Sequence, residues 1–159
     1  MIKNVDYYTN GIATILQSPE RAKINVKATN VGTVVEQDAN TDAWFHIPLT
    51  THTQFADIVN NNQVISRTFI DTLFLSAKVN ENAKIDTVHI RDGTRLIVNR
   101  SVNYIDRNIE ETLSLTNTER GQQLYAGLAM SIHVRFLTGK PRGRVEFKSA
   151  GVRLRITGP

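Results

Sequence analysis

The last third of the chain contains the pattern that most restricts its fold. Leu128, Met130, Ile132, Val134 and Phe136 alternate with Ala129, Ser131, His133, Arg135 and Leu137. A period of two sends successive side chains to opposite faces of a strand, so this segment reads as a β-strand with one buried face. The turn-forming sequence Gly139-Lys140-Pro141-Arg142-Gly143 follows. Two more short alternating runs come after it, Val145 with Phe147 and then Val152, Leu154 and Ile156. Together they predict consecutive antiparallel strands ending in a hairpin.

The same reasoning extends upstream. Ile85 to Val98 is an alternating run interrupted by Asp92-Gly93, and Asp-Gly supplies the positive φ of a tight hairpin turn. Val88 and Ile90 then point one way, His89 and Arg91 the other. Val64 to Val79 is long for one strand, and its apolar residues change parity: Ile65, Phe69, Leu73, Leu75 and Ala77 against Ile70 and Phe74. A bulge, or burial of both faces, reconciles the two sets. Ile12 to Leu16, Ile24 to Ala28 and Val31 to Glu36 read as short strands, with tight turns at Ser18-Pro19 and between Asn30 and Gly32. Phe55 to Val59 reads as a helical turn and Asn99 to Asn108 as a loop. Thr116-x-x-Glu119 has capping-box spacing, with Gly121 ending the helix after one turn.

Thr and Asn account for 31 of the 159 residues, and long Leu/Ala/Glu/Lys stretches are missing, so strands and turns dominate. The fold class expected is all-β, an antiparallel β-sandwich, jelly-roll-like. The length suits one compact domain. The unpatterned polar stretch Gln37 to Asp42 marks a boundary. Residues 1–40 then form an N-terminal strand segment that either packs on the sandwich or reaches to a neighbouring subunit as an assembly arm, and residues 41–159 the β-sandwich domain.

Three strings carry a family resemblance: Trp44-Phe45-His46-Ile47-Pro48-Leu49, Ala83-Lys84-Ile85-Asp86-Thr87-Val88-His89-Ile90-Arg91-Asp92-Gly93, and Gly127-Leu128-Ala129-Met130-Ser131-Ile132-His133-Val134-Arg135-Phe136. Over residues 43–157 the chain resembles a group of small uncharacterised bacterial β-sandwich proteins. The resemblance implies the sandwich and transfers no activity, and the basic terminal strands are unusual for the group.

Function classes narrow by composition. The chain has no cysteine, which excludes disulfides, thiolate metal sites and cysteine nucleophiles. No apolar run reaches the ~18 residues of a membrane-spanning helix. Met1 to Asp6 lacks a signal-like apolar run, so cytoplasmic residence is the expectation, with export by a route that needs no cleaved signal as the alternative. No nucleophile elbow, phosphate-binding loop or dinucleotide fingerprint appears, so no cofactor is implied and a non-enzymatic role is favoured.

The candidate residues fall into three groups. His46, His89 and His133 each precede a β-branched residue. His89 and His133 on neighbouring strands, completed by Asp86 or Asp92, would make a metal-assisted enzyme. The polar face of a half-buried sheet is the plainer reading, because no metal-ligand spacing motif is present. Paired carboxylates, Glu110-Glu111 or Asp86 with Asp92, need a defined separation in a cleft to perform acid/base work, and Glu110-Glu111 reads better as a solvated loop.

The basic terminus is the strongest candidate. Lys140, Arg142, Arg144, Lys148, Arg153 and Arg155 stand against the single acid Glu146, more than the whole net charge of +4. With the apolar residues inward, Arg144, Lys148, Arg153 and Arg155 share an exposed face suited to an anionic glycan or an acidic protein partner. The alternative is that charge on an edge strand simply prevents aggregation. Aromatic residues are not interleaved with these cations, which argues against nucleic acid. Trp44 is either core or a sugar-stacking surface, and Tyr7-Tyr8 sends at least one ring outward.

The chain is therefore expected to be a non-enzymatic β-sandwich protein acting through self-association or protein binding, as a homo-oligomer. The alternative is a lectin-like glycan- or polyanion-binding module using Arg144, Lys148, Arg153, Arg155 and Trp44.

Overall fold

The computed structural model describes residues 2–17, 25–30, 32–49, 51, 54–59, 62–139 and 141–158. In chain order the strands are β1 (Ile2–Asn10), β2 (Ile15–Leu16), β3 (Asn25–Thr29), β4 (Gly32–Asp38), β5 (Thr41–Leu49), β6 (Gln54–Val59), β7 (Asn62–Asp92), β8 (Arg95–Leu113), β9 (Leu128–Phe136) and β10 (Arg142–Thr157). One short helix, α1 (Asn117–Arg120), lies between β8 and β9. Ile24, Val31, Lys140 and the turn expected at Ser18-Pro19 lie outside the described residues.

The strands form one antiparallel sheet running β2-β5-β9-β7-β10-β4-β3, with β1 also on β10 and with β6 and β8 also on β7. A flat strand of 31 residues such as β7 would extend about 100 Å. A chain of this length has a radius of gyration of about 15 Å, so β7 must bend. It bends where four residues of β7, Asn80 to Ala83, lie opposite a single residue of β8, between the pairs Val79↔Arg107 and Lys84↔Ile105. The lone residue, Asp106, has φ +44°, which fits a sharp local turn of the strand.

The bend divides the sheet into two layers. The first half of β7 pairs with β10 through residues 67–79, and the second half pairs with β9 through residues 83–92. Phe45 of β5 and Phe147 of β10 then meet across the interior, their ring centroids 5.2 Å apart. Leu128, Met130, Ile132, Val134 and Phe136 of β9 all face this core, as do Val145, Phe147, Val152 and Leu154 of β10. The chain is the all-β, antiparallel, jelly-roll-like sandwich expected.

Several local expectations hold. Gly93 has φ +58° in a two-residue turn closed by the pair Asp92↔Arg95. The parity change in β7 coincides with a register shift at Asp71, which lets Ile70 and Leu73 both reach the core. The capping box at α1 is complete, with the Thr116 hydroxyl accepting from Glu119 N–H and the Glu119 carboxylate accepting from Thr116 N–H.

Others differ. Phe55 to Val59 belongs to β6, because it continues a hairpin with β7. Asn99 to Asn108 is strand, since β8 follows β7 from the hairpin turn to Leu113. The terminal segment is one strand with a bulge at Lys148, so its two alternating runs share a line instead of forming a hairpin. β10 has neighbours on both sides, β7 along one and β4 then β1 along the other, so it is not an edge. The N-terminal segment takes the first of its two expected placements: residues 2–10, 25–29 and 32–38 pair within this layer, and the chain passes from β4 to β5 through Asn40 at φ +59°.

Phe147→Ala is expected to destabilise the fold by about 3–5 kcal/mol, the cost of a large aromatic cavity, measured by urea unfolding. A loss below about 1 kcal/mol would mean that the layers do not depend on this contact.

Candidate functional site

The outer face of the layer β2-β5-β9-β7-β8 gathers polar and aromatic side chains from three strands. Phe45, Ile47 and Leu49 turn inward on β5, so Asp42, Trp44 and His46 turn outward. On β9 the outward set is Ser131, His133 and Arg135, and on β7 it includes His89 and Arg91. The register sets Trp44 beside His133, and both His46 and His89 beside Ser131.

Trp44 is half-buried, and Phe45, its neighbour in sequence, is the core residue. The indole packs against His133 at 4.8 Å between centroids and stacks on His89 at 4.7 Å, with 29° between those planes. Because His89 lies on β7, beyond β9, the indole reaches across β9 past Ser131. A small residue there permits the crossing, and Ser131 is only 2% exposed.

His133 sits between two carboxylates. Its Nδ1 lies 2.7 Å from Asp86 Oδ1 and its Nε2 2.9 Å from Asp42 Oδ2. Each ring nitrogen of His133 thus faces a carboxylate, which can only accept. Asp86 also accepts from the Thr87 hydroxyl at 3.0 Å and pairs with Arg135 Nε at 2.5 Å. Burial works to raise the Asp86 pKa, but the hydrogen bonds from His133 and Thr87, with the His133 and Arg135 charges, hold it below the ordinary value.

The other two imidazoles shift downward. Burial lowers the His46 pKa and the Arg91 charge adds to it. Its Nε2 donates to Gln17 Oε1 at 3.3 Å, leaving Nδ1 to accept from the Ser131 hydroxyl at 2.7 Å. Burial also lowers His89; the bond from its Nε2 to Asn99 Oδ1 at 3.1 Å opposes this, and the charges of Arg91 and His133 reinforce it.

His133 and Asp42 also line an open cleft of about 410 Å³. Asn40, Thr41, Arg135 and Thr138 line it too, so its wall is rich in donors and acceptors. Arg135 and Asp42 are largely exposed there, with side-chain accessibilities of 62% and 65%.

Ser131 and His46 have the separation of a nucleophile and its base, yet Ser131 is shielded, and a neutral amide orients the imidazole where a carboxylate would be expected. His89 and His133 come together through Trp44, not around a shared ion position. No three of His, Cys, Asp or Glu are grouped to hold a metal among the described residues. Asp86 and Asp92 belong to separate networks: Asp92 accepts from Tyr125 N–H at 2.9 Å, Ala126 N–H at 2.7 Å and Arg95 Nη2 at 2.9 Å, locking the loop before β9 to the hairpin tip. Glu110 and Glu111 lie on β8, with Glu111 paired to Arg107 at 2.6 Å.

The basic residues are on the other layer, remote from Trp44, so the five named residues do not form one site. Arg153 donates to Asp6 through Nε at 2.6 Å and Nη2 at 2.9 Å, which lowers the Asp6 pKa and raises that of Arg153. Arg144 faces Glu36 at 3.8 Å. Arg155 lies over the Phe69 ring at 5.1 Å and donates to the Arg120 carbonyl at 3.2 Å. Lys148 is half-buried at the bulge. Aromatics do stand beside these arginines, brought there by β7, as sequence spacing along β10 alone could not reveal.

The His46 and His89 shifts have a definite sign. The unfolded chain protonates these rings near pH ~6.5, and the folded chain does so lower. Between the two values the unfolded state binds more protons, so stability rises with pH. Their contribution is complete above about pH 6.5 and falls away as the pH drops towards the folded values. NMR titration should give midpoints below about 6.5 for both. Unfolding midpoints should drop between about pH 7.5 and 5, and drop less in a His46→Gln/His89→Gln variant; midpoints at or above the ordinary value would contradict the assignment.

No protein-family model matches the chain, and no curated protein does. Among solved structures it is similar to a family two carbohydrate esterase from Cellvibrio japonicus, at 10% identity and a TM-score of 0.41, covering 96% of this chain and 34% of the esterase. The chain thus spans about a third of that protein's length. It is similar to the CBM36-1 domain of a multidomain xylanase from the hindgut metagenome of Trinervitermes trinervoides, at 9% identity and a TM-score of 0.39, covering 98% of each. It is also similar to the xylan-binding module CBM15, at 10% identity and a TM-score of 0.44, covering 97% of this chain and 96% of that one. Likenesses at this level carry no argument about ligand or activity.

Proposed function

We propose that this chain is a non-catalytic, glycan-binding β-sandwich module whose ligand lies on the Trp44 face. The observation that carries the reading is the indole itself. It is large, turned outward and held in place by two imidazoles, one of which, His133, lines the cleft with Asp42 and Arg135. A sugar ring has an apolar C–H face and a rim of hydroxyls. The C–H face suits the negative π surface of an indole, and the rim suits Asp42, His133 and Arg135. Ligand pockets generally combine an apolar contact with a few well-placed polar groups. The His133–Asp86–Arg135 ladder fixes those groups before any ligand arrives, which reduces the ordering cost of binding.

The basic face on β10 is the weaker choice for an anionic glycan. Arg153 and Arg144 already have carboxylate partners, and a polyanion would have to displace Asp6 and Glu36.

Self-association is a second reading, supported by β1. Among the described strands this nine-residue strand pairs with β10 alone, and Ile2 on it is 68% exposed. Sheet edges of this kind are sites of strand addition. Light scattering should show a discrete oligomer that Ile2→Lys shifts towards monomer; a monomer across the concentration range would remove this reading.

For the glycan reading, affinity electrophoresis against xylan, β-glucan, mannan, pectin and heparin should show retardation by at least one polymer. Trp44→Ala should abolish it while preserving the thermal unfolding midpoint to within a few degrees. Retardation unchanged in Trp44→Ala, or restricted to heparin and lost in an Arg153→Ser/Arg155→Ser variant, would overturn the assignment to this face.

A further inference from the structure

The outer face of the opposite layer carries a second aromatic surface. Tyr8 of β1 and Phe74 of β7 stand on either side of Gly151 of β10, which is in register with both. Their rings stack over that strand, 5.3 Å between centroids and 29° between planes. The glycine is what permits this approach. A Cβ at residue 151 would lie 2.6 Å from Tyr8 Cδ1 and 2.8 Å from the Tyr7 carbonyl oxygen. Covering a strand glycine with an aromatic ring is a known packing device, and it accounts for the contact. It leaves the exposure unexplained: Tyr8 keeps 60% of its surface in solvent.

An open cleft of about 240 Å³ adjoins the two rings, with Ser76, Glu110, Glu111, Thr112 and Ser149 on its wall. Three hydroxyls and two carboxylates, of which Glu111 is paired to Arg107, supply donors and acceptors around an aromatic surface. Two cations beside the cleft's lining residues are engaged by carboxylates. Arg153 sits 5.9 Å from the Phe74 ring centroid and is held by Asp6, and Arg107 is held by Glu111. The cleft therefore favours a neutral ligand and disfavours an anionic one.

We propose that Tyr8, Phe74 and this cleft form a second glycan site, for a neutral pyranose ring, on the face opposite Trp44. The ligand class rests on the glycan reading of the Trp44 face, and the location rests on the Gly151 geometry. Two sites on opposite faces of a sandwich make the module bivalent, able to join two polysaccharide chains and to gain avidity on a dense polymer.

Isothermal titration with xylohexaose and cellohexaose tests both sites. The native protein should bind two ligands per chain, Trp44→Ala and Tyr8→Ala one each, and the double variant none. Trp44 is the chain's single tryptophan, so its fluorescence reports the first site alone and should titrate unchanged in Tyr8→Ala. Glu110→Ala, an exposed change outside the core, should weaken the second site about tenfold or more and so tests it even if Tyr8→Ala destabilises β1. One ligand per chain, lost in Trp44→Ala and unaffected by Tyr8→Ala and Glu110→Ala, would overturn the second site and leave the first. One ligand lost in Tyr8→Ala and retained in Trp44→Ala would support the second site and overturn the first. No binding of either oligosaccharide would overturn this proposal, and the wider polymer panel would then decide the Trp44 face separately.

Discussion

The bend in the β7–β8 ribbon is the constraint on which the rest of the molecule depends. A single long hairpin runs through both layers, and the sheet folds onto itself at the largest of the breaks in its register, at Asn80 to Ala83 opposite Asp106. β10 then adds to one side of the bend and β9 to the other along the same edge of β7. The Phe45–Phe147 contact, and with it the common core, follows from that geometry. The main-chain carbonyl of Asn82 in the bulge accepts from Leu137 N–H at 2.8 Å, tying the bend to the link between β9 and β10. The backbone of the bulge thus finds partners outside β8, as buried backbone groups require.

Once the sheet is folded, each layer has one dry face and one wet face, and the wet faces acquire different characters. On the β5-β9-β7 side, three strands place Trp44, His133 and His89 within stacking distance, and carboxylates hold the central imidazole. On the β7-β10-β1 side, acids and bases are paired across strands, Asp6 with Arg153 and Glu36 with Arg144. Two of the cations concentrated at the terminus, Arg153 and Arg144, thus face carboxylates more than a hundred positions earlier. Exposed pairs of this kind add little stability individually, but they determine which cations a ligand can reach.

The sequence was most legible where one period or one turn carries the information. The alternation in β9, the Asp92-Gly93 turn, the bulge near Ile70 and the capping box at Thr116 are local patterns with local physical causes. The elements misread were those whose state is decided by a neighbour. Asn99 to Asn108 lacks an alternating apolar signature, yet it is strand because β7 supplies hydrogen-bond partners along its length. The terminal runs look like two strands because a bulge at Lys148 resets the parity within one. Trp44 and Phe45 are equally apolar in sequence, and only the register with β9 determines which of them faces water.

By itself the sequence determined that this chain is built of antiparallel strands, that the alternating apolar residues of β9 face the core as do Val145, Phe147, Val152 and Leu154 of β10, and that cysteine chemistry is excluded. Ile156, of the same alternating run, does not join them. Hydrophobic periodicity and turn stereochemistry act over a few residues, so they can be read without knowing what lies across the sheet. Tertiary structure alone decided that Trp44 meets two histidines, that Tyr8 meets Phe74 over a glycine, and that the basic strand has neighbours on both sides with Arg144 and Arg153 facing carboxylates. Those relations join strands separated by tens to more than a hundred residues. They depend on strand order and register, which are set by the packing of the whole core around one bent ribbon.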